Sequence, residues 1–365
     1  MTPAPNPDVG SDADPHPSLA ADFERFADWC VGTSPLYERL SRVVAADGDL
    51  LAVAAAVPAG KTPPNMLFAA VQFLLLRDAD HRLGEYYPSV AADAGSAAPV
   101  DDDLAAAFRE FVLDHEADLR EVFDTHRTQT NAVRRCAALL PAFEYVSRRV
   151  DREPLALVEV GPSAGLNLVW DRYRYEYGDA GAFGDADATA TVDSRVRGGS
   201  PPFPDPPEAV PEVTSRVGVD LSPLDVTDAD DVAWLRALVW PEHRDRHALL
   251  RDAVEVAAAD PPELVAGDAL DTVPELVAEI PDDTPVCLFD TNVRYQFDES
   301  MRERYDAVVA DLGTDRELHW LTGDEGVIDE EAIYLDHAAV RDGDLNWTRL
   351  ATYQQHGRWV EWLAA

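Results

Sequence analysis

The 365-residue chain is short of lysine. Of its 30 basic residues only Lys61 is a lysine, and against 69 acids this leaves a formal net charge of −39. A chain with so little positive charge offers no basic face to neutralise phosphates, which argues against nucleic acid as a partner. Few lysines, abundant alanine and a large acidic excess match adaptation to a salt-loaded cytoplasm. At about 1 M salt the Debye length is about 3 Å, so repulsion that would strain the fold in dilute buffer is screened. Cysteine is scarce too: Cys30, Cys136 and Cys287 lie far apart in apolar settings. That predicts reduced, buried thiols, and no metal-ligand spacing is present. No apolar run approaches the ~20 residues of a membrane span. The first twenty residues, rich in proline and aspartate, lack the apolar centre of a signal peptide. The expectation is a soluble, cytoplasmic protein with a disordered tail over 1–17, taking a small molecule as its partner rather than a membrane or nucleic acid.

What is present is a 46% hydrophobic chain, ample for a large core. Its centre of organisation is Leu155–Leu168, LALVEVGPSAGLNL. The first six residues form an apolar run interrupted only by Glu159, the pattern of a strand buried on both faces. The run breaks at Gly161-Pro-Ser-Ala-Gly165 and resumes as an apolar, helix-compatible segment. Strand, glycine turn and helix start together predict free N–H groups that attract a ligand head.

Before this centre, residues 18–150 read as an all-helical region of four or five helices. Met66–Leu76, apolar all round, is its buried helix. Asp101–Phe123 carries one helical face, and Thr128 or Thr130 is placed to cap the helix that follows. Residues 151–365 read as α/β. Tyr173–Tyr177 and Thr189–Val196 alternate and predict an inserted hairpin at about 171–212, with the three tyrosines on a sheet surface. Strands ending in Asp220, Asp268 and Asp290 follow, with helices from Asp228 and His243 between the first two. Met301–Leu312 reads as a helix and Glu317–Leu321 as a further strand. Asn346–Tyr353 and Arg358–Leu363, joined at His356-Gly357, predict a closing antiparallel hairpin.

This order of glycine turn, strands ending in acids and closing hairpin resembles the class I S-adenosylmethionine-dependent methyltransferase domain. The resemblance implies an α/β, Rossmann-like, mostly parallel sheet with an antiparallel C-terminal hairpin, preceded by the all-helical region, with the pocket between the two parts. It implies S-adenosylmethionine as cofactor, held by Glu159, Gly161, Ser163, Gly165, Asn167, Asp220, Asp268 and Ala269. Asp220 would accept from the ribose hydroxyls, and as an acid at a strand's end would support little core. Asp290 is the candidate general base. Arg127, Asn131, Arg134 and Asn292 are the candidate substrate contacts. No metal is implied. At finer grain, Arg127-Thr-Gln-Thr-Asn131, Glu159–Asn167, Asp171-Arg-Tyr-Arg-Tyr175, Val239-Trp-Pro-Glu242 and His356–Leu363 resemble domain-of-unknown-function family 2332, over nearly the whole chain after the tail.

Other readings of the same residues remain open. Gly161-Pro-Ser-Ala-Gly165 fits the nucleophile elbow G-x-S-x-G, in which Ser163 would attack with His337 or His356 downstream. A ligand-binding protein without catalysis would use the same pocket. Asp220 and Asp268 also suit helix caps, and Asp290 a turn.

Overall fold

We describe a computed structural model over residues 17–365, except 78–79, 92–96, 130 and 324–331. The expected disordered tail and Thr130 lie outside the described residues. Among them, no helix is long and apolar enough to cross a membrane. The chain divides into two compact units, Met1–Thr130 with Ala233–His247, and Asn131–Val232 with Ala248–Ala365.

The first unit is helical: α1 (Pro17–Cys30), α2 (Pro35–Ala45), α3 (Gly48–Ala54), α4 (Pro63–Arg77), α5 (Asp102–Asp114) and α6 (Glu116–Thr125). With α7 (Cys136–Ser147) of the second unit, the described residues before 150 hold seven α-helices rather than four or five. The helical pattern of 101–123 conceals a break at His115, whose ring stacks on Phe111 and which ends α5. α4 is the buried helix expected, enclosed from Met66 to Phe73. The later segment of this unit is held by buried side chains. Gln72 donates to the carbonyls of Ala237 and Val239. Glu242 accepts from Ser34 Oγ at 2.8 Å and from the Leu36 N–H at 3.0 Å, so it supports the start of α2.

The second unit is built on β1 (Leu155–Val160), β6 (Val213–Asp220), β7 (Glu263–Ala266), β8 (Val286–Thr291) and β9 (Leu318–Gly323), all parallel. They stand in the order β7-β6-β1-β8-β9. From β1 the chain moves outward through β6 and β7, then returns to fill the other side with β8 and β9. The direction of winding therefore reverses at β1. The helices between them in the chain are α8 (Ala229–Ala237), which belongs to the first unit from Ala233 onward, α9 (Arg244–Ala259), which belongs to the second from Ala248 onward, α10 (Ala269–Ala278) and α11 (Glu299–Leu312). Beyond β9 the sheet continues antiparallel through β10 (Ala332–Arg341), β11 (Asp344–Gln354) and β12 (Val360–Trp362). β11 and β12 are the closing hairpin expected, whereas β10, between β9 and β11, had no sequence assignment.

Alternate residues of β1 face opposite sides. Ala156, Val158 and Val160 join Leu288, Trp320, Val273 and Val309 in a core under α10 and α11. Phe289, which is paired with Glu159, lies on the other side and meets Phe143 of α7 edge-on at 5.3 Å.

The insertion differs from the expected hairpin. β2 (Arg174–Glu176) runs antiparallel to β3 (Ala182–Phe183) and parallel to β4 (Thr191–Asp193), while β5 (Val196–Gly198) joins the main sheet beside β12. Tyr173, Tyr175 and Tyr177 are not surface residues. All three are buried, and their hydroxyls donate to the carbonyls of Leu166, Trp170 and Ala137.

Candidate ligand-binding site

In open parallel sheets, ligands bind beyond the carboxyl ends of the strands where the winding reverses. Here that crest is made by the ends of β1, β6 and β8. The segment after β1 departs from the expected helix. Gly161, Ser163 and Gly165 have φ of +70°, +55° and +71°, values that interrupt a right-handed helix. The chain folds instead through tight turns, with Gly165 N–H donating to the Pro162 carbonyl and Leu168 N–H to that of Gly165. It reaches only a short 3₁₀ turn at Trp170–Arg172. The anion-binding helix N-terminus that the sequence suggested is therefore not formed.

The glycines serve the packing of the chain itself. A Cβ on Gly161 would lie 2.5 Å from a Val293 methyl, and one on Gly165 2.6 Å from the Pro262 ring. These contacts bring the end of β8 and the start of β7 against the turn. Asp220, ending β6, reaches the same place. Its Oδ2 accepts the Ser163 N–H and its Oδ1 the Ser222 N–H, both at 2.9 Å. Asp220 is thus part of the turn's own bonding, more than the bystander to the fold that an acid at a strand's end suggested.

Glu159 is buried on the α7 side. Asn167 Nδ2 donates to its Oε1 at 3.2 Å, and Asn167 Oδ1 in turn accepts from the Cys136 thiol at 3.3 Å. Burial pushes the Glu159 carboxyl up to about 8, opposed by the Asn167 bond. Burial also holds the Cys136 thiol well above its ordinary range.

Asn131 Nδ2 donates to the Pro162 carbonyl at 3.0 Å. This fixes the amide's orientation and leaves Oδ1 as an acceptor. Among the described residues, Asn131 Oδ1, Ser163 Oγ, Asn292 Oδ1 and Glu159 Oε2 are buried atoms without a hydrogen-bond partner. Asn292, just past β8, has φ +59°, a conformation that costs free energy outside glycine and concentrates at functional sites.

The remaining candidates fall elsewhere. Asp268 caps α10, accepting the Leu270 N–H at 2.9 Å, and Ala269 is the first residue of that helix. Asp290 is fully buried on the α10–α11 side, its two oxygens accepting at 2.7 Å from Trp320 Nε1 and Thr322 Oγ1. The carboxylate expected to act as a base is thus engaged in the core. Arg134 is buried three residues after Asn131, whereas Arg127 belongs to the other unit, is exposed, and lowers the Lys61 ammonium by charge repulsion, second to burial. Thr128 caps nothing: α7 is preceded by a 3₁₀ turn at Val133–Arg135, with no side-chain cap. Of the histidines suggested for a Ser163 triad, His337 is bonded to His319 at 2.9 Å. Burial lowers both imidazoles, to about 3 and about 4. Among the described residues, no group of three or more His, Cys, Asp or Glu side chains could hold a metal ion. The bonding of Asn131 to the turn and of Asn167 to Glu159 left no mark in the sequence beyond the two polar side chains themselves.

Residues 20–362 match a family described as an uncharacterized protein conserved in bacteria (DUF2332). The chain belongs to this family. Its span takes in every residue of the crest, and it joins Val239–Glu242, where Glu242 supports α2, to His356–Trp362, which carries β12. No curated protein and no solved structure matches the chain.

Proposed function

We propose that the protein binds S-adenosylmethionine at the crest formed by β1, β6 and β8 and transfers its methyl group to a small molecule. The observation that carries this reading is the 2.9 Å bond from the Ser163 N–H to Asp220 Oδ2. It joins the acid that ends β6 to the glycine turn after β1, where the winding reverses. Each carboxylate oxygen has a second lone pair, so Asp220 can still accept from a ribose diol. The donor set fits the ligand. Asn131 Oδ1 and Asn292 Oδ1 only accept, and the Asp220 carboxylate is bonded to the turn itself, which favours a ligand rich in N–H and O–H groups. A phosphate-bearing ligand would meet the Asp220 carboxylate without a helix N-terminus to offset it. When bound, the cofactor would supply an electrophilic methyl group. The residues of the chain hold and align it, and alignment is what such a transfer chiefly needs.

Calorimetric titration with S-adenosylhomocysteine in molar KCl tests this reading. Ser163→Ala should weaken binding by roughly 0.5–1.5 kcal/mol, as for one hydrogen bond. No binding by the wild type at millimolar ligand ends the nucleoside reading. Binding without transfer to any acceptor leaves a binding protein of the same fold.

One observation favours a second reading. Ser163 combines φ +55° with a buried hydroxyl that has no hydrogen-bond partner among the described residues, as in a strained nucleophile elbow. Labelling of Ser163 by a serine-directed phosphonate, abolished in Ser163→Ala, would establish a hydrolase.

A further inference from the structure

The insertion between β1 and β6 encloses a cavity of about 670 Å³, lined by residues of the second unit alone. That is the size of a small-molecule site. Asp171, Arg174, Asp185 and Glu208 supply its charges, and Ala182 and Val210 contribute an apolar wall. The charged residues are gathered around Gly184, which also lines the cavity. The Gly184 N–H donates at 3.0 Å to the carbonyl of Pro207, the residue before Glu208. A Cβ on Gly184 would lie 2.3 Å from the Tyr173 carbonyl oxygen and 3.5 Å from the Arg174 Cα. A residue without a side chain therefore lets β2 close on the loop that carries Asp185.

The four charges are not equivalent. Asp171 is occupied by Arg216, whose guanidinium donates to its two oxygens at 2.8 and 3.1 Å. Arg174 is the cation of the lining. Its Nε donates to Glu176 Oε1 at 3.1 Å, which orients the guanidinium and leaves its two terminal nitrogens as donors among the described residues. Such a fork matches a carboxylate. Asp185 and Glu208 are exposed and can only accept when ionised. A ligand with a carboxylate alone meets these two acids beside the fork. A ligand with an ammonium alone leaves the fork empty. A zwitterion satisfies both, and it carries no net charge towards a chain at −39. The cavity is apart from the crest: Arg216, behind Asp171, stands four residues before Asp220 on β6, about 13 Å along the strand.

We propose that this cavity binds a small zwitterion, a free amino acid with an apolar side chain. Arg174 takes its carboxylate, Asp185 and Glu208 take its ammonium, and Ala182 and Val210 meet its side chain. The site is independent of the cofactor reading and shares no residue with it.

The test uses leucine and two analogues that each lack one of its charges, on the whole protein in molar KCl at neutral pH. Isocaproate has no ammonium and isopentylamine has no carboxylate. Affinities come from ligand-observed NMR, and leucine should bind more tightly than either analogue. Arg174→Gln should weaken leucine about two- to tenfold, the range of one hydrogen bond, and leave isopentylamine unchanged. Glu208→Gln should weaken leucine and isopentylamine alike and leave isocaproate unchanged. Ser163→Ala, at the crest, should bind leucine as the wild type does, and Arg174→Gln should bind S-adenosylhomocysteine as the wild type does. Isopentylamine binding as tightly as leucine would reduce the cavity to a patch of surface acids and overturn the proposal. So would isocaproate binding as tightly, no leucine binding at millimolar ligand, or an unchanged leucine affinity in either variant of the cavity. Leucine binding without nucleoside binding removes only the cofactor reading, and the reverse removes only this one.

Discussion

Asp220 is bonded to the backbone of Ser163, 57 positions earlier in the chain, at 2.9 Å. Because its other oxygen takes the Ser222 N–H, one side chain fastens the turn after β1 to the loop after β6. The acid suited to grip a ligand is also what shapes the surface that the ligand would meet. Its removal therefore acts on stability and on binding at once.

The two effects separate with two variants. Asp220→Ala leaves two backbone donors without their charged partner and should lower unliganded stability by roughly 1.5–3 kcal/mol. Asp220→Asn retains one acceptor oxygen and should melt closer to the wild type. Both should bind S-adenosylhomocysteine at least about tenfold more weakly, since a neutral amide cannot accept twice from a diol. Thermal melts and calorimetry measure the pair. Wild-type affinity in Asp220→Asn would show that the carboxylate serves the fold alone.

Glu159 predicts a pH dependence. An ordinary glutamate titrates near 4.5, and burial pushes this one to about 8. Between these values the unfolded chain is ionised and the folded one holds its proton, so the unfolded state binds fewer protons. Stability contributed by the protonated group is complete below about 4.5 and is lost as pH rises through the window, by about 1.4 kcal/mol per pH unit. Glu159→Gln has no proton to lose. Its midpoint should gain on the wild type from pH 5 to pH 8 and then run parallel. A constant difference across that range would mean that the folded protein already holds an ionised carboxylate.

The legible parts of the sequence were those where one pattern has one structural meaning. β1 and β8 are apolar runs buried on both faces, and β6 ends at its acid, so their order and their crest could be read. The segment after Gly161 could not, because helix-compatible residues do not reveal that Ser163 takes a positive φ. Alternation in Tyr173–Tyr177 and Thr189–Val196 marked strands but not direction, since parallel and antiparallel pairs share period two. β10 was missed because its apolar runs Ala332–Leu335 and Ala338–Val340, separated by Asp336-His337, show no period of two. The helical face of Asp101–Phe123 runs through His115, so the boundary between α5 and α6 left no mark. The spacing of Glu159, Ser163 and Asp220 suggested one site. Which atoms of that site are already bonded to each other depends on geometry that no spacing encodes.

Glu242 supports α2 through two bonds, one to a side chain and one to the backbone. Glu242→Ala should destabilise the protein by roughly 1.5–3 kcal/mol, the usual loss for a charged partner. It should leave ligand binding at the crest unchanged. Denaturant titration reads the first and calorimetry the second. A fall below about 0.5 kcal/mol would make the pair an ordinary surface contact.

The charge of −39 predicts a fold that depends on salt. The melting temperature should rise steeply from dilute buffer to about 1 M KCl, as the screening length shrinks to about 3 Å. Potassium and sodium chloride should act alike if screening is the cause. A flat profile would remove the habitat reading of the composition.

Two glycines with nearly the same φ provide an internal control for the last prediction. Gly357 has φ +79° and Gly343 +80°. A Cβ on Gly343 would find its nearest neighbour, Thr314 Oγ1, at 3.8 Å. One on Gly357 would lie 2.0 Å from the Arg134 carbonyl oxygen and 2.8 Å from the Arg135 nitrogen. All the nearest atoms belong to the backbone of Arg134 and Arg135, so no side chain can move aside. Gly343→Ala should lose only the conformational term, roughly 1–3 kcal/mol. Gly357→Ala adds a clash that displaces either the turn before β12 or the chain leading into α7. Arg135 makes such a shift consequential: its Nε donates to the Gln355 carbonyl at 2.9 Å, and its charge opposes the raised Glu159. Gly357→Ala should therefore be much less stable than Gly343→Ala, and where it folds it should change the pH profile of Glu159. Equal midpoints for the two variants would show that the Arg134 contact yields without cost.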